Sequence, residues 1–187
     1  LALEALSNGR SPTQTILELS ASDPDFDYRQ VGIINHEGIV GMHTGAECRN
    51  WAGHEILKGA AIFGNVLASH KTLEAMVKTF EKSKGIEFGK RLILTLEAGR
   101  NAGGQASSDG LHLPERSAVL SIQTADIVQD IDLRVDFHND AVTELRRVYE
   151  GYSPYIEYYM RRARDPKNTP AQDAWVKEKL NDDDIQL

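Results

Sequence analysis

Apolar residues repeat at intervals of three and four in five parts of the chain, and this spacing predicts amphipathic helices. The first helix opens the chain at Leu1 and ends at Asn8-Gly9. The second begins at Ser11-Pro12-Thr13-Gln14, which has the residue pattern of a capping box, and continues to about Ser20. The other three helices are predicted over residues 73–80, 88–98 and from 140 to about 159.

The C-terminal part of the chain carries signals for helix breaks. Gly151 and Pro154 should break or kink the helix that begins at Asp140, with Ser153 as a new N-cap. Thr169-Pro170-Ala171-Gln172 repeats the capping-box pattern and predicts a last helix. We therefore predict a main domain over residues 1–150 and a helical extension over residues 151–187. The tyrosines at 149, 152, 155 and 159 form a stripe, which would serve either to cover the core or to build a homodimer or higher homo-oligomer.

Short β-branched runs between the helices predict antiparallel strands. "RQVGIIN" and "IVGMH", separated by "HEG", predict a hairpin. We expect "TGAECRNWAGHEILKG" to be irregular because of its glycines, and "AAIFGNVLAS" to be a buried strand that runs into a loop. "SAVLSIQ" and "DIDLRVDF" predict a second strand pair, preceded by the polar loop "QASSDGLHLPE". The mixture predicts an α+β fold.

Amino-acid composition and net charge indicate which classes of partner this protein is expected to bind. A hydrophobic fraction of 41% with 26% charged residues is ordinary for a globular protein. The formal net charge of −7 argues against a nucleic-acid partner, because binding phosphates requires a basic face. No apolar run approaches the roughly 20 residues that span a bilayer, and the single cysteine excludes an internal disulfide, so we predict no membrane partner and a cytoplasmic protein. The opening helix has no initiator methionine or N-cap, so residues upstream are expected to be missing and a leader peptide is left open.

Several longer stretches carry a family resemblance. They are "RQVGIIN", "TGAECRNWAGH", "GNVLAS", "LEAGRNAGG", "RSA" and "DLRVDFHNDAVTELRR". Over nearly its whole length the chain resembles an uncharacterised bacterial family, domain of unknown function 1028, whose members resemble Ntn hydrolases in fold. The resemblance implies a four-layer αββα sandwich of two antiparallel sheets with helices outside, and it implies that the first strands precede Leu1.

The same resemblance implies a reaction class. In Ntn hydrolases the nucleophile is an N-terminal Thr, Ser or Cys whose α-amino group acts as the base. Leu1 has an alkyl side chain, so the nucleophile of an amidohydrolase acting on a small amide or peptide linkage would lie upstream. The alternative is a non-catalytic module that binds a small ligand or has a structural role and keeps only the sandwich. Family members tend to have an aspartate where this chain has Gln105. Either Asp109 replaces that aspartate, or the contact that the aspartate makes is lost. The role of the 105–115 loop is therefore left open.

Two candidates would stabilise negative charge on a cleaved amide. Asn65, at the end of an apolar strand, is placed to donate to an oxyanion or, alternatively, to cap the following turn. The backbone N–H groups of Gly103 and Gly104 are candidates for the same task, with a helix C-cap as the alternative. We expect these residues and Arg116 to converge at the rim of the two sheets.

Four polar positions further along the chain are candidates for substrate binding. Arg116 would clamp a substrate carboxylate with help from Ser117, or form an ordinary surface ion pair. Asp132 and Asp136 would line a cleft and bind a cation or ammonium group, or neutralise Arg134 in an exposed ladder. For Asp132 and Asp136 we favour the exposed ladder that neutralises Arg134.

The loop that contains the only cysteine is expected to face the substrate through Thr44, Cys48 and His54. A nucleophilic Cys48 activated by His54 is one interpretation, and a zinc site of His43, Cys48 and His54 with Glu47 is another. Simple packing of the loop is favoured over both, so we predict no metal and no cofactor.

Overall fold

The structure, a computed structural model, describes residues 1–49, 51–125 and 130–179. Its architecture is mixed α+β, as predicted, and the chain divides into two compact units, Leu1–Pro114 and a second that begins at Glu115. The helices of the described residues are α1 (Ala2–Ser7), α2 (Pro12–Ser22), α3 (His70–Lys82), α4 (Phe88–Asn101), α5 (Ala141–Arg164) and α6 (Gln172–Lys179). The strands are β1 (Gln30–Ile34), β2 (Val40–Thr44), β3 (Gly53–Leu57), β4 (Ala60–Gly64), β5 (Gln105–Ala106), β6 (His112–Leu113), β7 (Ala118–Ile122) and β8 (Ile131–Val135).

The start of α2 has the predicted capping box. The hydroxyl of Ser11 accepts a hydrogen bond from the backbone N–H of Gln14 at 3.2 Å, and the Gln14 amide oxygen accepts from the backbone N–H of Ser11 at 3.0 Å. Two of the donors that every helix N-terminus leaves unpaired are thereby satisfied. The helix ends at Ser22, two residues beyond the predicted end.

Two antiparallel hairpins contain the four longer strands of the first unit. The predicted hairpin of β1 and β2 is confirmed, with Gln30 opposite Thr44 at its open end. The prediction of an irregular segment over residues 44–59 is wrong for 53–57, because Gly53–Leu57 forms β3 and pairs with β4. Glycine weakens a strand locally, but here the paired strand β4 supplies the hydrogen bonds that stabilise β3. A short stretch of sequence around β3 does not show that partner, so the prediction missed the strand.

Within the described part of the first unit, two helices pack on one face of these hairpins. Helix α2 contacts β1 and β2, and helix α3 contacts β3 and β4. The strand residues that are buried point to the helix side: Ile33 in β1, and Ile62 in β4, which packs with Leu67 and Leu73. On the opposite face Ile34 and Ile56 are 53% and 51% exposed. The helix-free face is therefore apolar toward the hairpin tips.

In the second unit, β7 pairs with β8 and helix α5 contacts both strands, which confirms the predicted strand pair. The predicted alternation holds from Ile131 to Val135, both of which are buried. It fails at Phe137, which is 74% exposed, because the strand ends at Val135 and the chain beyond it leaves the sheet.

Helix α5 is continuous through Gly151 and Pro154, so a break with a new N-cap at Ser153 is wrong, whereas a kink stays a prediction. Proline removes one backbone donor and one intrahelical hydrogen bond. The helix on both sides is anchored by buried Tyr149 and Tyr158, and Tyr158 lies 5.4 Å from the ring of Trp175 in α6. Tertiary packing of this kind outweighs a single lost bond.

The last helix starts later than predicted. It begins at Gln172, and the hydroxyl of Thr169 donates to the carbonyl of Asp165 at 2.6 Å. Residue 150 lies inside α5, and the division into domains 1–150 and 151–187 stays a prediction. The acidic tail lies outside the described residues. None of the helices within the described ranges is both long and apolar enough to cross a bilayer.

Candidate functional site

A row of four hydrogen-bonded polar side chains crosses the open ends of the two hairpins. The Gln30 side-chain N–H₂ group lies 3.0 Å from Thr44 Oγ1, 3.1 Å from the Gly53 carbonyl and 3.0 Å from the Gly64 carbonyl. The amide of Asn65 donates to Gln30 Oε1 at 3.1 Å. Thr44 Oγ1 lies 2.8 Å from His54 Nδ1, which extends the chain of contacts to β3. We call Gln30, Thr44, His54 and Asn65 the polar row.

All four side chains share the helix-free face of the strands. Gln30 and Thr44 are directly opposite in β1 and β2, and opposed residues project to the same face. His54 is opposite Phe63 and shares its face, and Asn65, one residue beyond β4, joins the row through its hydrogen bond to Gln30. The register thus places the polar row at the open ends, away from the apolar tips.

Gln30 is the residue that sequence reasoning missed. Its two side-chain N–H groups serve three oxygen atoms, and its own oxygen is used by Asn65. The orientation of its amide is therefore fixed by the surrounding acceptors. One feature of the sequence could have identified Gln30: it is a glutamine at the start of a strand whose other residues are apolar. A half-buried amide in that position needs hydrogen-bond partners.

The structure does not bring together the residues proposed for a zinc site or a thiol–imidazole pair. Cys48 Sγ contacts the carbonyl of Arg29 at 3.3 Å, and His43 Nε2 contacts the carbonyl of Phe26 at 3.1 Å. His54 is instead held by Thr44. Within the described ranges, no group of three or more His, Cys, Asp or Glu side chains is arranged to hold a metal ion.

The segment that carries Asn65 is strained and held on both sides. Val66 has φ of 57°, the left-handed region that a β-branched residue rarely adopts. Its N–H donates to the carbonyl of Arg49 at 3.2 Å, and its carbonyl accepts from the N–H of Ala106 at 2.9 Å. A conformation of this kind persists only where the surroundings over-determine it, and such positions cluster at functional sites.

Gly103 and Gly104 close helix α4. Their φ angles are 124° and 56°, and their N–H groups donate to the carbonyls of Arg100 at 3.1 Å and Gly99 at 3.0 Å. These two backbone hydrogen bonds are the pattern of a glycine-based helix C-cap, which was the alternative considered from the sequence. Both N–H groups are thereby used within the cap, so the geometry gives the oxyanion role no support. The segment is joined to the chain that follows Asn65, since the Gly104 carbonyl accepts from the N–H of Ala68.

The remaining candidates belong to the second unit. Arg116 is exposed just before β7, with its guanidinium 5.6 Å from the centre of the Phe137 ring, and Ser117 is exposed beside it. Asp132 is exposed on β8, and Arg134 lies 3.5 Å from Asp136 with both side chains largely in solvent. The carboxylate clamp at Arg116 stays a prediction. The exposed Arg134–Asp136 pair fits mutual neutralisation.

The 105–115 loop contains the short strands β5 and β6, which the sequence did not predict. The hydroxyl of Ser107 donates to the carboxylate of Asp109, and this hydrogen bond lowers the pKa of Asp109 below its usual range. Asp109 therefore has a structural partner inside its own turn.

Comparison with known protein families gives a match. Residues 1–145 match the model of a family described as a family of unknown function, DUF1028. The chain belongs to this family. The resemblance seen in the sequence is confirmed at that level. Comparison with curated proteins gives no match to this DUF1028 chain.

A solved structure supports the fold of this DUF1028 chain. The crystal structure of protein SPO2555 from Silicibacter pomeroyi, itself assigned to DUF1028, is similar with a TM-score of 0.69 at 24% sequence identity. The similarity covers 81% of this chain and 64% of that one. The chain thus corresponds to less than two thirds of that protein.

Proposed function

We propose that this DUF1028 chain forms one wall of an Ntn-type amidohydrolase that acts on a small amide or peptide linkage. The observation that carries the proposal is the polar row, a set of oriented hydrogen-bonding groups on an accessible sheet face next to a strained backbone segment. Pre-oriented donors are the feature that most enzymes use to stabilise developing charge.

The covering of the strands favours an αββα sandwich. Helices α2 and α3 occupy one face of the first two hairpins, while the tips of the other face present Ile34 and Ile56 to solvent. A sheet that is apolar on both faces is stabilised by a layer on each side. In the proposed sandwich a second sheet covers the tips, and the polar row lies at the rim.

Asn65 is the proposed oxyanion donor. One of its N–H groups is used by Gln30, and the side chain is exposed, so the other N–H is available to a carbonyl oxygen of the substrate. The Gln30 amide, fixed by its three acceptors, holds Asn65 in place. Removing such a donor from a hydrolase lowers kcat by about 100- to 1,000-fold.

The nucleophile is proposed to come from a residue upstream of Leu1. An Ntn nucleophile needs a hydroxyl or thiol on the residue that carries the free α-amino group, and Leu1 has neither. His54 would contribute its Nε2 edge, because Nδ1 is engaged with Thr44.

A second candidate is a non-catalytic module that binds a small ligand. The observation that favours it is the commitment of both the Gly103 and Gly104 N–H groups to α4, which leaves Asn65 without the partner donor expected from the sequence. In this case the polar row binds an amide without hydrolysing it.

Two measurements test the proposal. Mass spectrometry of the intact mature protein reads its N-terminal residue; Thr, Ser or Cys is expected, and any other residue excludes Ntn chemistry. Hydrolysis of a panel of small amides is then compared between wild type, Asn65→Ala and the control Asn139→Ala, an exposed asparagine in the second unit. We expect only Asn65→Ala to lose activity. Binding without hydrolysis by the wild type would favour the second candidate.

A further inference from the structure

We infer that the site selects uncharged amides that carry an apolar substituent, and that Phe63 is the residue that determines this specificity. The inference rests on the proposed function, since it concerns the ligand of the same polar row. It adds a contact surface that the sequence reasoning did not assign.

The position of Phe63 is the first observation. It is directly opposite His54, so the two side chains project from the same face, at the inner edge of the polar row. Its side chain is 43% exposed although it is a large aromatic group within a paired strand. An exposed aromatic ring beside oriented donors is typical of a ligand contact.

The absence of a side chain at residue 32 lets the ring lie over β1. A Cβ atom at Gly32 would stand 3.0 Å from the Phe63 ring and 2.9 Å from Met42 Sδ, both closer than real Cβ atoms comfortably approach. The glycine therefore permits Phe63 and Met42 to form a continuous apolar surface between the two hairpins. This surface adjoins the polar row on one side and the tips on the other.

The chemistry of the row favours a neutral ligand. Gln30 and Asn65 are amides and Thr44 is a hydroxyl, so none of these three carries a charge. Among the hydrogen bonds of the described residues that hold the row together, none involves a carboxylate, an ammonium or a guanidinium group. A ligand amide offers one donor and one acceptor, which match the acceptor and donor of an asparagine side chain. Beside Gln30, Thr44 and Asn65 a carboxylate would lose hydration without meeting an opposite charge.

The experiment compares three soluble probes: N-acetyl-L-phenylalaninamide, N-acetylglycinamide and N-acetyl-L-phenylalanine as its carboxylate. Binding is measured by NMR titration of the full chain, for wild type, Phe63→Ala, Phe63→Leu, Asn65→Ala and the control Ile34→Ala. Ile34 lies on the same face and is as exposed, but it is at the hairpin tip. Folding of each variant is checked by circular dichroism.

We expect wild type to bind the phenylalanine amide about tenfold more tightly than the glycine amide, the size of one aromatic contact, and to bind the carboxylate more weakly than the amide. Phe63→Ala should abolish the preference between the two amides, Phe63→Leu should keep part of it, and Ile34→Ala should leave it unchanged. Asn65→Ala should weaken both amides in parallel.

The outcomes separate the two proposals. If both amides bind equally and Asn65→Ala weakens both, the specificity inference is overturned while the site stands. The same holds if the preference survives in both Phe63 variants. If neither amide binds, or if Asn65→Ala changes nothing, the polar row is not a ligand site and both proposals fall.

Discussion

Replacing Gln30 should destabilise the first unit more than any other single change in the polar row, because it serves four partners at once. In Gln30→Met the side chain keeps its length but loses its donors and its acceptor. Asn65 is exposed and can turn to water, whereas the carbonyls of Gly53 and Gly64 lose their contact with a half-buried amide.

The magnitude follows from those two carbonyls. A polar group left unsatisfied in a buried place costs about 1–3 kcal/mol, and partial burial favours the lower end of that range. Two such carbonyls at the lower end of that range give an expected loss of about 2 kcal/mol in the free energy of unfolding.

Gln30→Glu sharpens the test through pH. The carboxylate of the variant would face the two carbonyls, so at pH 7 this variant should be less stable than Gln30→Met. Protonation restores one donor, which raises the pKa of the new carboxyl in the folded state above its unfolded value. The folded state then binds the proton more tightly, so the stability of Gln30→Glu should rise as the pH is lowered from 7 toward about 4.3.

The assay is urea denaturation followed by circular dichroism, with hydrogen–deuterium exchange of residues 53–64 to locate the loss. Gln123→Met, at an exposed glutamine of the second unit, is the control and should change stability by less than about 0.5 kcal/mol. A loss below about 0.5 kcal/mol in both Gln30 variants, with unchanged exchange in 53–64, would refute the reasoning.

Three further predictions follow from single contacts. Val66→Gly should be more stable than Val66→Ala by about 1 kcal/mol in thermal unfolding, since only glycine relieves the positive φ; the opposite order would contradict the strain. Ser11→Ala should cost about 1 kcal/mol through loss of the α2 cap, and an unchanged midpoint would contradict that role. The hydrogen bond from Arg29 lowers the pKa of Asp23, so its contribution to stability should be present above the unfolded pKa and lost as the pH falls through the lower folded pKa; an NMR titration with an unshifted Asp23 carboxyl would exclude the pair.

Much of the local structure could be predicted from the sequence because its signals act over a few residues. The capping box at Ser11 is formed by atoms three residues apart, and the first hairpin closes across a short turn. The apolar stripe of α3 likewise repeats within one helix. In each case the residues that make the contact also make the pattern, so a short window contains both.

The candidate site depended on contacts between distant positions. Gln30 bonds to residues 23 and 34 positions further along the chain, and to Asn65 at a separation of 35. No periodicity encodes such a pair, so Asn65 was predicted as a donor while its partner was missed. The continuity of α5 through Pro154 has the same origin, since packing of Tyr158 against Trp175 holds a helix that its own sequence would interrupt.

The sequence by itself determined the elements whose hydrogen bonds and apolar stripes are local, and it contained enough specific stretches to indicate the family. Only the tertiary structure decided that β3 is a strand, that Cys48 and His54 have separate partners, and that the polar row shares one face with Phe63. The physical reason is that a side chain's partner is chosen by register and packing between strands. Those depend on the free energy of the whole unit and not on the spacing of neighbouring residues.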